Sequence, residues 1–82
     1  MASTKQLLAG CIRDRFDVDR AEEIIGDDAF GALLFRVKEY CRVNECNPSD
    51  AFDSVSDDDI EFAAEDADNP AAFLAARIRD AV

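Results

Sequence analysis

The sequence predicts an all-α fold, a compact single domain of four to five short helices without a sheet, over residues 1–82. Two observations predict it. Val, Ile and Thr never alternate with polar residues over the length of a strand, whereas helix-start residues recur before apolar stripes with helical spacing. Leu, Ile, Val and Phe total 21 residues, with 14 Ala besides, so the chain has enough apolar volume for one modest core.

Two helices are predicted in the N-terminal third. Ser3 and Thr4 precede an apolar stripe that Phe16 closes. Asp17 or Asp19 can cap a second, shorter helix, which ends at Gly26 because glycine is common just beyond helix ends. The apolar positions of these two helices are Leu7, Leu8, Cys11, Ile12, Ile24 and Ile25.

The strongest helical pattern runs from about Ala29 to Val43, directly after Asp27 and Asp28. At 100° per residue its apolar stripe falls within about 120° of arc, which is typical of a core-facing helix. Phe35 points away from that stripe, so either this helix is central and packs on two sides or Phe35 is exposed. We favour the central helix. The stripe consists of Phe30, Leu33, Leu34, Val37, Tyr40 and Cys41.

Stop-and-start signals divide the C-terminal half. Asn47-Pro48 ends the long helix and starts a short one, since proline fits the first helical turn. Ser56 followed by three aspartates is typical of a capped helix start, and we expect this helix to reach Ala67. Asn69-Pro70 repeats the signal before a last helix, expected from Ala71 to near Val82. The stripe of that last helix is Leu74, Ile78 and Ala81.

The net charge of −10 is concentrated in residues 44–70, which hold ten acids and neither Lys nor Arg. The rest of the chain is close to neutral. Like-charge pairs at helical spacing each cost a few tenths of a kcal/mol, so a neutral structural role does not require this clustering. We call residues 44–70 the acidic segment; its acids are Glu45, Asp50, Asp53, Asp57, Asp58, Asp59, Glu61, Glu65, Asp66 and Asp68.

The acidic segment has two interpretations. It is either a solvated face that keeps a small protein soluble or a surface for a basic partner, whose association its field accelerates. We favour the partner surface. Phe62 projects among the carboxylates and is a candidate anchor that a partner buries, the alternative being that it packs under a neighbouring helix. Phe52 is a second candidate for apolar contact. The predicted binding residues are the ten acids and Phe62, and the core side of the same helix is Ile60, Ala63, Ala64 and Ala67.

Composition argues against several functional classes. A chain of this charge repels phosphates, so we expect no direct binding to nucleic acid. Without histidine the usual zinc, haem and His-dependent catalytic sites lack support, and the three isolated glycines form no phosphate loop. Residues 57–68 depart from a calcium loop because Phe62 stands where that loop requires glycine. We therefore expect no enzyme activity, no cofactor and no metal.

The expected location is the cytoplasm, or the host cytoplasm if a phage encodes the chain. No apolar run approaches the roughly 18 residues of a membrane span, and Met1–Gly10 lacks a secretory apolar region. Three cysteines cannot all pair within one chain. Cys11 and Cys41 lie on apolar faces, where a free thiol packs as a small hydrophobe. Cys46, in a polar loop, is either an exposed thiol or pairs with Cys41 under oxidation.

Asp53-Ser54-Val55 resembles the Asp-Ser-Leu motif of acyl carrier proteins, which are small, acidic and helical. The resemblance implies phosphopantetheine attached to Ser54. The order of elements departs from that family, because its serine opens the long second helix. Here the long helix comes earlier and 28 residues follow Ser54.

In size and charge the whole chain is similar to small acidic helical inhibitors: phage anti-CRISPR and anti-restriction proteins, and nuclease-immunity proteins. It shares no motif with them. Such inhibitors present carboxylates to a basic cleft that normally holds DNA or RNA. We therefore expect a non-enzymatic inhibitor that binds the basic nucleic-acid-binding surface of a nuclease or CRISPR-type effector by charge mimicry. The alternative is a helical interaction or adaptor module, homodimeric or helix-binding through Phe35 or Phe73.

Overall fold

The computed structural model of the protein describes residues 3–81, which form six α-helices joined by short turns. No strand occurs within that range, so the predicted all-α single domain is confirmed, with one helix more than the largest number expected. Val82, the expected end of the last helix, lies outside the described residues. The helices are α1 Thr4–Arg15, α2 Val18–Gly26, α3 Phe30–Asn44, α4 Pro48–Asp53, α5 Asp57–Glu65 and α6 Pro70–Ala81.

The helix starts follow the predicted capping residues. The Ser3, Asp17, Asn47 and Ser56 side chains each accept a hydrogen bond from the backbone N–H three residues later, at 2.8 to 3.2 Å. Such caps satisfy backbone donors that have no partner within the helix. The helix α3 lacks a side-chain cap at Ala29, but the Asp27 carboxylate accepts from the Ala29 N–H at 2.7 Å in the preceding turn.

The core is built around α3, which packs against α6 and also against α1, α2 and α4. Phe30, Leu33 and Val37 are buried as predicted, whereas Leu34, Tyr40 and Cys41 lie at the edge of the stripe and are half-buried. The helices α1, α2, α4 and α6 also contribute large side chains that are fully buried, whereas α5 contributes none. These side chains are Leu8, Ile12, Ile24, Phe52, Leu74 and Ile78.

Five local expectations are wrong. Phe52, a candidate for apolar contact with a partner, is fully buried in the core beside Phe16. Phe35 is 59% exposed, because the four neighbours of α3 leave its outer side uncovered. Leu7 is exposed, since α1 turns the adjacent Leu8 into the core instead. Ala81 is exposed at the end of α6. The helix α5 ends at Glu65 rather than at Ala67, although Ala67 is buried in the turn that follows.

Candidate partner-binding surface

The helix α5 presents a row of carboxylates to solvent. Ile60 and Ala63 face the core, and Ala67 beyond the helix is buried with them. Asp58, Glu61 and Glu65 lie on the opposite side and are exposed. Side chains three or four residues apart on a helix have Cβ atoms about 5–6 Å apart, so these carboxylates form a closely spaced row.

The first turn of α5 accommodates three successive aspartates because they lie at the N-terminus of the helix. Ser56 caps the helix by accepting from the Asp59 N–H, and the positive end of the helix dipole stabilises carboxylates in that turn. Asp57 and Asp58 are exposed. Asp59 is half-buried and accepts a hydrogen bond at 2.9 Å from Arg77 of α6, so its charge is compensated.

Phe62 packs against a neighbouring helix and is also partly exposed. Its ring lies against Phe73 of α6, with ring centroids 4.8 Å apart and planes inclined by 46°. It nevertheless stays 44% exposed on the acidic side of α5. Asp58 and Asp66 stand four residues before and after it, one helical turn away on either side. A half-covered aromatic ring among carboxylates is therefore available to a partner without any rearrangement of the core.

The other acids of the segment lie on a different part of the molecule. Glu45 follows α3 in a left-handed backbone conformation with a φ of 52°. Asp50 belongs to the capping box of α4, and Asp53 accepts at 2.6 Å from Arg15 of α1. The helix α4 packs on α1 and α3, whereas α5 packs mainly on α6. The fold thus brings together the acids of α5, whereas Glu45, Asp50 and Asp53 lie at the end of α3 and on α4, which contact other helices.

An arginine that the sequence does not single out holds the end of α5. Arg20 of α2 donates from Nε to the Ala63 carbonyl at 2.9 Å and from Nη2 to the Ala67 carbonyl at 2.7 Å. The last carbonyls of a helix have no partner within the helix, and a cation there also interacts favourably with the dipole. The only signal in the sequence is indirect: α5 ends without glycine or a basic residue in its last turn.

Only two of the ten acids are paired with arginine within residues 3–81, namely Asp53 with Arg15 and Asp59 with Arg77. Arginines from the near-neutral parts of the chain therefore relieve a small part of the repulsion, which the linear sequence does not show. The acids that form no ion pair within this range are Glu45, Asp50, Asp57, Asp58, Glu61, Glu65, Asp66 and Asp68, all exposed.

Ser54 stands at the end of α4, where its hydroxyl donates to the Ala51 carbonyl at 2.6 Å. The resemblance to acyl carrier proteins implies a serine at the start of a long helix. Here the serine follows a helix of six residues and its hydroxyl is engaged, so its position gives that resemblance no support.

Cys41 and Cys46 meet at the end of α3. The Cys46 N–H donates to the Cys41 carbonyl at 3.2 Å, which brings the two cysteines together. Burial, the neighbouring Cys46 thiol and the negative charge of Asp50 raise the pKa of Cys41 to about 11. Burial first, and then Asp14 and Asp53, also raise the pKa of Cys11. All three cysteines are half-buried free thiols.

Residues 3–81 contain no cluster of three or more His, Cys, Asp or Glu side chains arranged to hold a metal ion. None of the helices described is both long and apolar enough to cross a membrane. Comparison with protein-family models, with curated proteins and with solved structures finds no match to this chain.

Proposed function

We propose that the protein is a non-enzymatic inhibitor whose α5 face binds the basic nucleic-acid-binding surface of another protein. The observation that carries this proposal is the exposed row Asp58, Glu61 and Glu65 beside the half-exposed ring of Phe62. The target class is a nuclease, a restriction enzyme or a CRISPR-type effector in the same cytoplasm, since these keep a cationic cleft for DNA or RNA.

Electrostatics supports such a target because no cation within residues 3–81 forms an ion pair with the row on α5. Unpaired carboxylates at about 5–6 Å spacing resemble a line of phosphates to facing lysines and arginines. A molecule of charge −10 also accelerates its own encounter with a cationic cleft and disfavours acidic partners. Cap and arginine contacts from α2 and α6 hold α5 in place, so little order has to be gained on binding.

Phe62 supplies the apolar part of the contact. Charge pairs mainly set the rate of association and the salt dependence, whereas a buried aromatic anchor slows dissociation. Phe73 already covers part of the ring, which restricts its rotation and lowers the entropy lost when a partner covers the rest.

The test begins with capture from a bacterial lysate on the immobilised protein at about 50 mM and about 300 mM salt, since salt screens exposed charges. The proposal expects nucleic-acid-binding proteins that are retained at low salt and released at high salt. A captured protein should lose its affinity for labelled DNA or RNA as the acidic protein is added, because both occupy one cleft.

Two matched variants locate the contact. Asp58→Lys, Glu61→Lys and Glu65→Lys together should abolish binding, since like-charge contacts at an interface cost several kcal/mol. The control reverses Asp14, Asp19 and Glu22, which are exposed and lie outside the acidic segment; Asp17 is spared because it caps α2. Equal loss in both variants means that bulk charge attracts the partner. Retained binding in the α5 variant refutes the proposal.

A further inference from the structure

The outer face of α3 is the second exposed surface with a distinct chemistry. Phe35 lies at its centre, largely exposed, and Val43 is exposed one turn beyond Glu39. A shallow groove of about 220 Å³ is lined by Phe35, Lys38, Glu39 and Arg42. The groove places an exposed aromatic ring beside charged side chains of both signs, which is a combination that a protein partner can contact.

The outer face of α3 has a local excess of positive charge, in contrast to the acidic segment. The helix α3 carries three cations, Arg36, Lys38 and Arg42, and one acid, Glu39, which Arg36 pairs at 3.4 Å. The Arg36 guanidinium also lies over the Phe35 ring, 5.3 Å from its centroid. Two copies of a chain of charge −10 repel each other over most orientations. When the same face of both copies meets, this repulsion is weakest across a face that carries few acids, as the outer face of α3 does.

The residues of this face are arranged in a self-complementary order. Phe35 and Arg42 are seven residues apart within α3, which is two helical turns with a drift of about 20°, so they share one side. Asp28 is exposed in the turn before α3, which keeps a near-helical path because the Phe30 N–H donates to the Asp27 carbonyl at 3.0 Å and Ala29 is in the right-handed helical region. An acid, an aromatic residue and a base therefore follow one another along this side, with Phe35 and Arg42 about 10 Å apart.

From this order we propose that a second copy of the chain docks antiparallel on the outer face of α3. A twofold axis at Phe35 stacks the two Phe35 rings and places Asp28 of each copy opposite Arg42 of the other. The same register sets the small residues Gly31 and Ala32 opposite Glu39 and Lys38, so the helices can approach closely. Antiparallel packing also aligns the two helix dipoles favourably.

This dimer is independent of the proposed inhibitor function, because it uses α3 and leaves α5 exposed. One helix pair buries less area than a standard protein–protein interface, so we expect a dissociation constant in the micromolar range. Sedimentation velocity from about 5 to about 500 μM should therefore show a concentration-dependent shift from monomer to dimer for the intact chain.

Charge exchange between two variants tests the register. Asp28→Lys alone places a lysine opposite the arginine of the other copy, and Arg42→Asp alone places an aspartate opposite the native aspartate. Each single variant should therefore dimerise at least tenfold more weakly than wild type. An equimolar mixture pairs opposite charges at both ends and should form a heterodimer close to wild-type affinity. Thermal unfolding of each variant shows that the monomer is intact, since both changes oppose the helix dipole slightly.

Phe35→Ala should weaken the dimer at least tenfold, whereas Val18→Ala, an exposed apolar residue on α2, should leave it unchanged. Wild-type protein that stays monomeric to about 500 μM overturns the proposal and leaves the face to a different partner. A mixture no stronger than its two components, or equal weakening by Val18→Ala, overturns it as well. The triple lysine variant of α5 should dimerise at least as well as wild type, which separates this dimer from the inhibitor function.

Discussion

Replacing Arg20 by Met should destabilise the protein far more than a surface substitution does. The side chain of Arg20 is only 16% exposed and joins α2 to the Ala63 carbonyl in the last turn of α5 and to the Ala67 carbonyl in the turn that follows. Methionine keeps much of the apolar stem and removes the guanidinium. The Ala63 and Ala67 carbonyls then lose donors at 2.9 and 2.7 Å, and the Glu23 carboxylate loses its partner at 2.9 Å.

The expected loss follows from these three contacts. A hydrogen bond to a charged group contributes about 1.5–3 kcal/mol net, and the exposed pair with Glu23 contributes under about 1 kcal/mol. Water reaches part of the vacated space, so we expect a loss of about 2–4 kcal/mol in the free energy of unfolding. Since 1 kcal/mol shifts the Tm of a domain of this size by roughly 4–8 °C, the Tm should fall by roughly 8–32 °C.

Urea unfolding followed by circular dichroism measures this loss, and hydrogen exchange locates it. The amides of α5 should exchange faster in Arg20→Met than those of α1. The matched control is Arg13→Met, because Arg13 is exposed and approaches Glu22 only at 3.6 Å; it should cost under about 0.5 kcal/mol. If the two variants are equally stable, water satisfies the α5 carbonyls and Arg20 does not hold the acidic helix.

Two further predictions concern the core and the thiol pair. Val37→Asp buries an unpaired charge at a fully buried position and should remove the cooperative thermal transition at neutral pH; a Tm near that of wild type places the core elsewhere. Because the pKa of Cys41 is raised from 9.0 to about 11, the folded state binds the thiol proton more tightly than the unfolded chain. This contribution to stability is complete below about pH 9 and is lost between about pH 9 and 11. In Cys41→Ala that part of the pH dependence should disappear, as measured by urea unfolding across that range. The Cys41 thiol should also react more slowly with iodoacetamide at about pH 8 in the folded protein than in urea; equal rates contradict the raised pKa.

The sequence by itself determined the helical class and most of the helix bounds. Ser3, Asp17, Asn47 and Ser56 cap helices where their positions predicted, because a cap is a contact between a side chain and a backbone N–H only three residues away. The core sides of α3 and α5 were also predictable, since helical periodicity alone determines which residues share a face. For the same reason the sequence predicted that the α5 carboxylates share an outer side with Phe62.

Only the tertiary structure decided which other surfaces are covered and which charges are compensated. Phe35 was expected to be packed because α3 is central, but the neighbours of that helix cover one side and leave Phe35 exposed. The pairs Arg15–Asp53 and Arg77–Asp59 and the contact of Arg20 with α5 join different helices. Local spacing carries no information about such contacts, because they depend on how whole helices pack. The same packing gives α4 and α5 different neighbours, so the acids of the acidic segment, continuous in sequence, stand in different surroundings.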